Sequence, residues 1–364
     1  MSLVRIAESA PVRALQSLGA AVQSPFLSGP LLAALLCAPD PVRQQVLRHA
    51  PAGLDVDAAR KVLQALLGLG LLKSINRGLS SMAANGWRAT AAPGWDWPSE
   101  VAVVTGGCSG IGHCIVRRLA ARRVRVAVLD VQDLPADLAA DPLVRLYTCD
   151  ITAPDAVAAA AAAIRNDLGH PSILVNNAGI TRPLAILDMP HDFLRRIFGV
   201  NCLSHWTLAQ QFLPHMVAAN KGHVMTVASM ASFIPLPKGA DYAATKAAAL
   251  SFHESLAVEL RHVHGADRVL ASIAHPNFVR TPLVRDFGHH LERGGIRMLA
   301  PDDVAALVAD QIFSRRAAQL IIPEHQAVLS GVRAWPTWLK VLLLDQLAAN
   351  TADIGTTLAA GSSA

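Results

Sequence analysis

The texture of the chain changes near residue 99. From there, short aliphatic and β-branched runs alternate with longer stretches whose apolar positions recur every three or four residues. The runs are VAVVT (101–105), VRVAVLD (124–130), VRLYTC (144–149), SILVNN (172–177), HVMTVAS (223–229), RVLASIA (268–274) and AQLII (318–322). Their apolar residues are continuous rather than alternating, which predicts strands covered on both faces. Strand–helix alternation predicts right-handed βαβ units and a parallel sheet. The expected fold is α/β, with a doubly wound, seven-stranded parallel sheet over residues 99–323. The alanine run Ala158–Ala163 reads as a smooth helix face.

The flanks read differently. Residues 1–98 read as helical hairpins broken by Pro and Gly, and APGWDWPSE (92–100) as a turn-rich boundary. Residues 324–364 form a tail. In it, AWPTWLKVLLLDQLAAN (334–350) reads as an amphipathic helix led by two tryptophans, which favour water–lipid interfaces. Packing of that helix on the domain or on a second subunit is the alternative.

Composition sharpens the picture of the first segment. The 364 residues are 52% hydrophobic and 16% charged, which excludes disorder for most of the chain. The net charge is +5, and residues 1–98 hold nine Lys/Arg against five Asp/Glu, so +4 of it sits there. Without a dense basic run or interleaved aromatics, this fits a membrane surface better than nucleic acid. The uncharged stretch Ala14–Ala38 is broken by polar residues and Pro, and VLQALLGLGLL (62–72) is short; a clean span needs about 20 apolar residues. Both read as interfacial or re-entrant segments, with helices packed on the globular domain as the alternative. A secretory leader pattern is not evident at the N-terminus. The five cysteines, Cys37, Cys108, Cys114, Cys149 and Cys202, are scattered without a C-x-x-C, which fits a reducing compartment facing the cytosol. His262 and His264 are two apart and do not share a helix face, so no metal site is expected.

The candidate chemistry starts at VVTGGCSGIG (103–112), where a strand runs into Gly106, Gly110 and Gly112 before a helix. Glycines there permit a tight turn and close approach to a pyrophosphate, which the helix N-terminus attracts. This is the context of a Rossmann-type dinucleotide site. Asp130 ends the second strand, where a carboxylate binds ribose hydroxyls and repels a 2′-phosphate. That favours NAD, with NADP as the alternative because Arg122, Arg123 and Arg125 stand close by. Asp150 ends the third strand as a candidate for the adenine edge or as a helix cap. NNAG (176–179) ends the fourth strand, where such sheets bind ligands. Ser229 ends the fifth, and DYAATKAAAL (241–250) sets Tyr242 and Lys246 four apart on one helix face. A phenol near pKa ~10 is a poor base, and a neighbouring ammonium lowers it. With Ser229 holding a substrate oxygen, Tyr242 becomes a proton donor and acceptor for an alcohol or carbonyl.

In the order T-G-x-x-x-G-I-G, N-N-A-G, Asn, Ser and Y-x-x-x-K, residues 99–323 resemble the short-chain dehydrogenase/reductase family. The resemblance implies Tyr242 as general acid/base and Lys246 as the group that lowers its pKa and holds the nicotinamide ribose. It implies Ser229 as the orienting group and Asn201, in GVNCLSHW, as the holder of a relay water. Cofactor contacts are implied for Thr105, Gly106, Ser109, Gly110, Ile111, Gly112, Asp130, Asp150, Ile151, Asn177, Ala178, Gly179, Tyr242, Lys246, Val279 and Thr281. One departure is visible in HPNFVRTPL (275–283): Asn277 takes the place of the usual Gly, tolerable because Asn accepts positive φ better than most residues. The P-N-F-V wording and the lead-in LLKSINRGLSSMAANGWRA resemble the membrane-associated retinol and hydroxysteroid dehydrogenases and their fungal relatives. That implies a lipophilic alcohol or ketone as substrate and a location on the cytosolic face of the endoplasmic reticulum or a lipid droplet, with the cytoplasm as the alternative. It also implies a homodimer and a mobile lid over 282–300, with Phe287, His289, His290 and Gly294–Gly295. A ketoreductase of a polyketide-like pathway, or a non-catalytic lipid-droplet scaffold on the same fold, are the competing readings.

Overall fold

A computed structural model describes residues 24–41, 55–293 and 295–351. The first part of the uncharged stretch from Ala14, Gly294 and the end of the tail lie outside the described residues. The chain divides into two compact units, Met1–Ala83 and Ala84–Ala364.

The first unit contains helix α1 (Pro25–Cys37) and all but the last residue of α2 (Val56–Ala84). Pro25 opens α1, a position where its missing N–H costs nothing. Asp55 opens α2: its Oδ1 accepts from the N–H groups of Asp57 (2.9 Å) and Ala58 (3.3 Å), satisfying two of the orphan donors at a helix start. A side chain on Gly29 would lie 3.8 Å from the Leu67 methyl, so α1 approaches α2 there. Phe26, Val62, Leu69, Leu72, Ile75 and Leu79 are all at least half exposed. Among the described residues, no helix is long and apolar enough to cross a membrane.

The second unit is built on seven parallel strands in the order β3-β2-β1-β4-β5-β6-β7. They are β1 (Val101–Thr105), β2 (Arg125–Asp130), β3 (Val144–Thr148), β4 (Ile173–Asn176), β5 (Gly222–Val227), β6 (Val269–Pro276) and β7 (Gln319–Ile322). All seven expected runs are strands. The helices between them are α3 (Gly110–Ala121), α4 (Ala136–Ala139), α5 (Pro154–Leu168), α6 (His191–Phe198), α7 (Ser204–Ala218), α8 (Ala240–His262), α9 (Gly288–Arg293) and α10 (Pro301–Phe313), with α11 (Thr337–Thr351) after β7. Successive strand residues feed opposite cores. Val104 and Val128 pack with Ile115, Leu119, Val308 and Ile312 of α3 and α10. Val103, Leu129 and Leu174 pack with Ile164, Phe212 and Phe252 of α5, α7 and α8. Each fully buried aliphatic or aromatic side chain contributes about 1.5–3 kcal/mol, so both layers hold the sheet and its carboxyl edge in place. The strand order reverses between β1 and β4, the place where a crevice opens in such sheets.

The edge of the second unit falls at residue 84, earlier than the sequence boundary near 98. Asn85 is buried, and its Oδ1 accepts from the Ala317 N–H at 3.0 Å. Ala92 N–H donates to Arg315 O (2.8 Å), and Trp97 meets Phe313 edge-on with centroids 4.8 Å apart. The tail packs as well. Trp335, Leu343, Leu344 and Leu347 lie against Met230, Phe233, Ile234 and Val332. The other side of α11 leaves Trp338, Val341 and Leu342 exposed.

Candidate active site

The glycine turn is stitched to the end of β4. Thr105 Oγ1 accepts from the N–H groups of Asn177 and Ala178, both at 3.0 Å. Asn177 Nδ2 donates back to the carbonyls of Thr105 (3.0 Å) and Gly106 (3.1 Å). Gly106 has φ +65° and Gly110 φ +56°, so the left-handed region explains both glycines. Gly112 answers to space instead: a Cβ there would collide with the Gly106 carbonyl oxygen and Asn177 Nδ2. Ser109 is the extended residue before α3, and Ile111 packs on the core below. A Cβ on Gly110 would lie 3.2 Å from the Thr281 methyl, so the segment after β6 reaches over the glycine turn. Val279, beside it, bridges to Leu299. The free N–H groups at the start of α3 and a turn that admits no side chain fit a pyrophosphate.

Asp130 is buried at the end of β2, with its oxygens accepting from Cys108 N–H (3.0 Å) and Gln132 N–H (3.1 Å). The carboxylate thus anchors the glycine turn to the end of β2. Asp150 is exposed and caps the turn before α5, accepting from Thr152 N–H (2.9 Å) and Oγ1 (2.8 Å); Ile151 beside it is buried. The expected helix-cap role is not seen: Ala153 is the residue that precedes α5, without a side-chain cap, and Asp150 closes the turn ahead of it. Asn277 is not among the residues of positive φ, so that tolerance is not needed. Its side chain instead accepts from Phe278 N–H (2.9 Å) and donates to Gln326 Oε1 (2.7 Å), tying the turn to the segment after β7.

Four elements converge beyond β4 and β5. Asn201 is fully buried in a π-helical turn, Gly199–Leu203, between α6 and α7. Such turns aim side chains that an α-helix would not. Its Oδ1 accepts from Ile180 N–H (2.8 Å), and its Nδ2 donates to Ile180 O (2.9 Å) and Thr245 Oγ1 (3.2 Å). Thr245 in turn donates to Tyr242 O at 2.8 Å. Asn201 therefore clamps the Gly179–Ile180 loop to the first turn of α8. Ser229 lies just past β5, where its Oγ accepts from Ala231 N–H at 3.1 Å and its hydroxyl stands beside the Tyr242 phenol, favouring the ionised form. Lys246 is buried, with Nζ donating to Val227 O (3.0 Å) and 5.6 Å from the Tyr242 ring centre. Nζ also lies close to Gly179, at 3.7 Å from where a Cβ would stand.

The electrostatics refine the expectation for this pair. Burial pushes the Tyr242 phenol up to about 12, opposed by the Ser229 hydroxyl beside it. Burial also pushes Lys246 down to about 8. Burial thus favours the neutral form of both groups, and the Lys246 ammonium favours the phenolate where it persists. The pair acts as expected from sequence only while Lys246 stays charged. Thr245 and His275 are site neighbours that motif reasoning passed over. Thr245 had the signal of sitting beside Lys246; His275 had none.

A family model described as short chain dehydrogenase matches residues 100–292. Dehydrogenase RED2 of Cochliobolus heterostrophus is 38% identical over 202 residues, covering 56% of this chain and 76% of that protein. Human retinol dehydrogenase 10 is 30% identical over 217 residues, covering 51% of this chain and 63% of its own length. Among solved structures, 3-ketoacyl-(acyl-carrier-protein) reductase from Brucella melitensis, complexed with NADH, is 27% identical with a TM-score of 0.57, covering 62% of this chain and 98% of that one.

Proposed function

The chain belongs to the short-chain dehydrogenase family and is a nicotinamide-dependent dehydrogenase or reductase, and from that premise we propose that it interconverts a lipophilic alcohol and its ketone or aldehyde, preferring NAD. The observation that carries this reading is the Ser229 hydroxyl beside the Tyr242 phenol, with Lys246 Nζ 5.6 Å from the tyrosine ring centre.

The nicotinamide supplies or accepts the hydride. The residues of this chain handle the oxygen and its proton. In the oxidative direction Tyr242 Oη takes the hydroxyl proton as the C–H hydride leaves; in reduction it returns that proton to the carbonyl oxygen. Ser229 Oγ holds the same oxygen by a hydrogen bond. Lys246, kept charged, favours the phenolate and holds the ribose, while Asn201 fixes the loop that faces them. Gly106, Gly110, Gly112, Asn177 and Thr281 hold the pyrophosphate and nicotinamide, and Asp130 holds the adenosine ribose.

A lipophilic substrate is supported by the likeness to retinol dehydrogenase 10 and by the segment after Thr281. That segment carries a small apolar core of Val284, Phe287, Leu291, Ile296 and Met298 with Phe278 against it, suited to a lid over an apolar molecule. Attachment to a membrane or lipid droplet at its cytosolic face is supported by the exposed apolar residues of α1 and α2 and by the basic charge of that segment. A homodimer is supported by Leu203, Trp206 and Val258, exposed at 44–60% on α7, α8 and the turn before α7. The competing ketoreductase reading draws on the likeness to the Brucella reductase. A screen at 340 nm, with both cofactors, across retinoids, steroids, long-chain alcohols and a 3-ketoacyl thioester separates them. Turnover confined to the thioester would overturn the lipophilic-alcohol reading. NADH binding without any turnover would favour a non-catalytic scaffold.

A further inference from the structure

His275 is completely buried near the end of β6, in front of Pro276. Its Nδ1 lies 3.1 Å from the carbonyl oxygen of Ser229. A carbonyl only accepts, so the ring must donate from Nδ1. Nε2 is then bare, and it lies 3.2 Å from the side-chain amide nitrogen of Gln319, a donor. Both ring nitrogens are therefore matched in one neutral tautomer, with the proton on Nδ1. The ring packs against Phe233 with centroids 4.6 Å apart at 48°. The titratable groups facing it are His253 and Lys246, both on α8, and neither is an acid that would favour a second proton. Burial first, with Lys246 adding to it, holds the imidazole down at about 4, against the pull of the Ser229 carbonyl.

The carbonyl of Ser229 receives a second donor, Ser232 N–H at 3.0 Å, so both of its lone pairs are used. The peptide after Ser229 is thereby fixed in rotation. Ser229 itself is extended, at φ −168° and ψ 161°; its Oγ accepts from Ala231 N–H, donates to Pro276 O at 3.4 Å and stands beside the Tyr242 phenol.

We propose that His275 is a positioning residue for Ser229: its Nδ1–H holds the serine backbone so that Oγ points at the oxygen Tyr242 protonates. The inference rests on the oxidoreductase reading, and its test separates the two. The first arm needs no substrate. In protein labelled with 15N-histidine, NMR distinguishes a protonated from a bare ring nitrogen, and His275 is expected to carry its proton on Nδ1 and to stay neutral from pH 5 to 8. A proton on Nε2 overturns the proposal. The second arm compares His275→Asn with His275→Gln. The Asn amide nitrogen stands where Nδ1 stood, whereas the Gln amide nitrogen stands at Nε2 and misses the carbonyl. With the best substrate of the screen, His275→Asn should keep kcat within about threefold, while His275→Gln should lose about 10- to 100-fold. NADH affinity and melting temperature should match between the two. Equal kcat for both variants, or a loss that only follows melting temperature, overturns the proposal. A wild-type protein without turnover would refute the oxidoreductase reading and leave the tautomer to decide the hydrogen bond.

Discussion

Asn201→Ala should damage this protein more than its size suggests. The side chain is fully buried and makes three hydrogen bonds, two to Ile180 and one to Thr245. Truncation strands the Ile180 N–H and C=O, each worth about 1–3 kcal/mol if left unsatisfied. Ile180 is half-buried, so water recovers part of that; a total loss of about 2–4 kcal/mol follows. Asn201→Asp keeps the acceptor for Ile180 N–H but sets a buried carboxylate oxygen against Ile180 O, and should cost at least as much as the alanine. Thr245→Val removes one bond to Asn201 and one to Tyr242 O, about 1 kcal/mol, and should be non-additive with Asn201→Ala because they share a partner. Function should fall too, because the clamped loop carries Gly179 beside Lys246. Urea denaturation read by tryptophan fluorescence gives the stability, and NADH fluorescence titration gives the cofactor affinity. If Asn201→Ala stays within 1 kcal/mol of wild type and binds NADH normally, the clamp is not what holds the site.

Three other outcomes follow from the same geometry. Asp130→Ser should raise use of NADP relative to NAD by at least about tenfold, equivalent to about 1.4 kcal/mol; a wild-type preference for NADPH under matched conditions refutes the role. Lys246 is depressed from 10.5 to about 8, so between those values the unfolded chain binds a proton that the folded one does not. The stability of cofactor-free protein relative to Lys246→Met should therefore rise from pH 8 towards 10; a flat difference would mean the ammonium is not desolvated. Full-length protein should sediment with membranes or lipid droplets and be released by detergent more than by salt, whereas a chain starting at residue 84 should be soluble and still bind NADH; a soluble full-length protein at low salt rules out the anchor.

Much of this was legible in the residues. Continuous runs such as VAVVT mark strands because both faces of β1 are covered, Val103 towards one core and Val104 towards the other. The glycine turn and Tyr242–Lys246 were legible because their spacing alone defines backbone freedom and a shared helix face. What stayed hidden depends on contacts distant in sequence. Residues 84–98 carry no periodic pattern, and they join the second unit through single bonds such as Asn85 to Ala317. The shift of Lys246 and Tyr242 towards their neutral forms is set by burial, which spacing does not encode. His275 reads as one more β-strand residue until the Ser229 carbonyl is seen beside it.

The central claim is that Tyr242 moves the proton while hydride passes to or from the nicotinamide. It is tested most directly by comparing wild type with Tyr242→Phe at 340 nm on the best lipophilic alcohol, together with NADH binding by fluorescence. The substitution removes only the hydroxyl. The account predicts a loss of kcat of about 10²–10⁴-fold with NADH affinity nearly unchanged. A variant that keeps most of its turnover would contradict it.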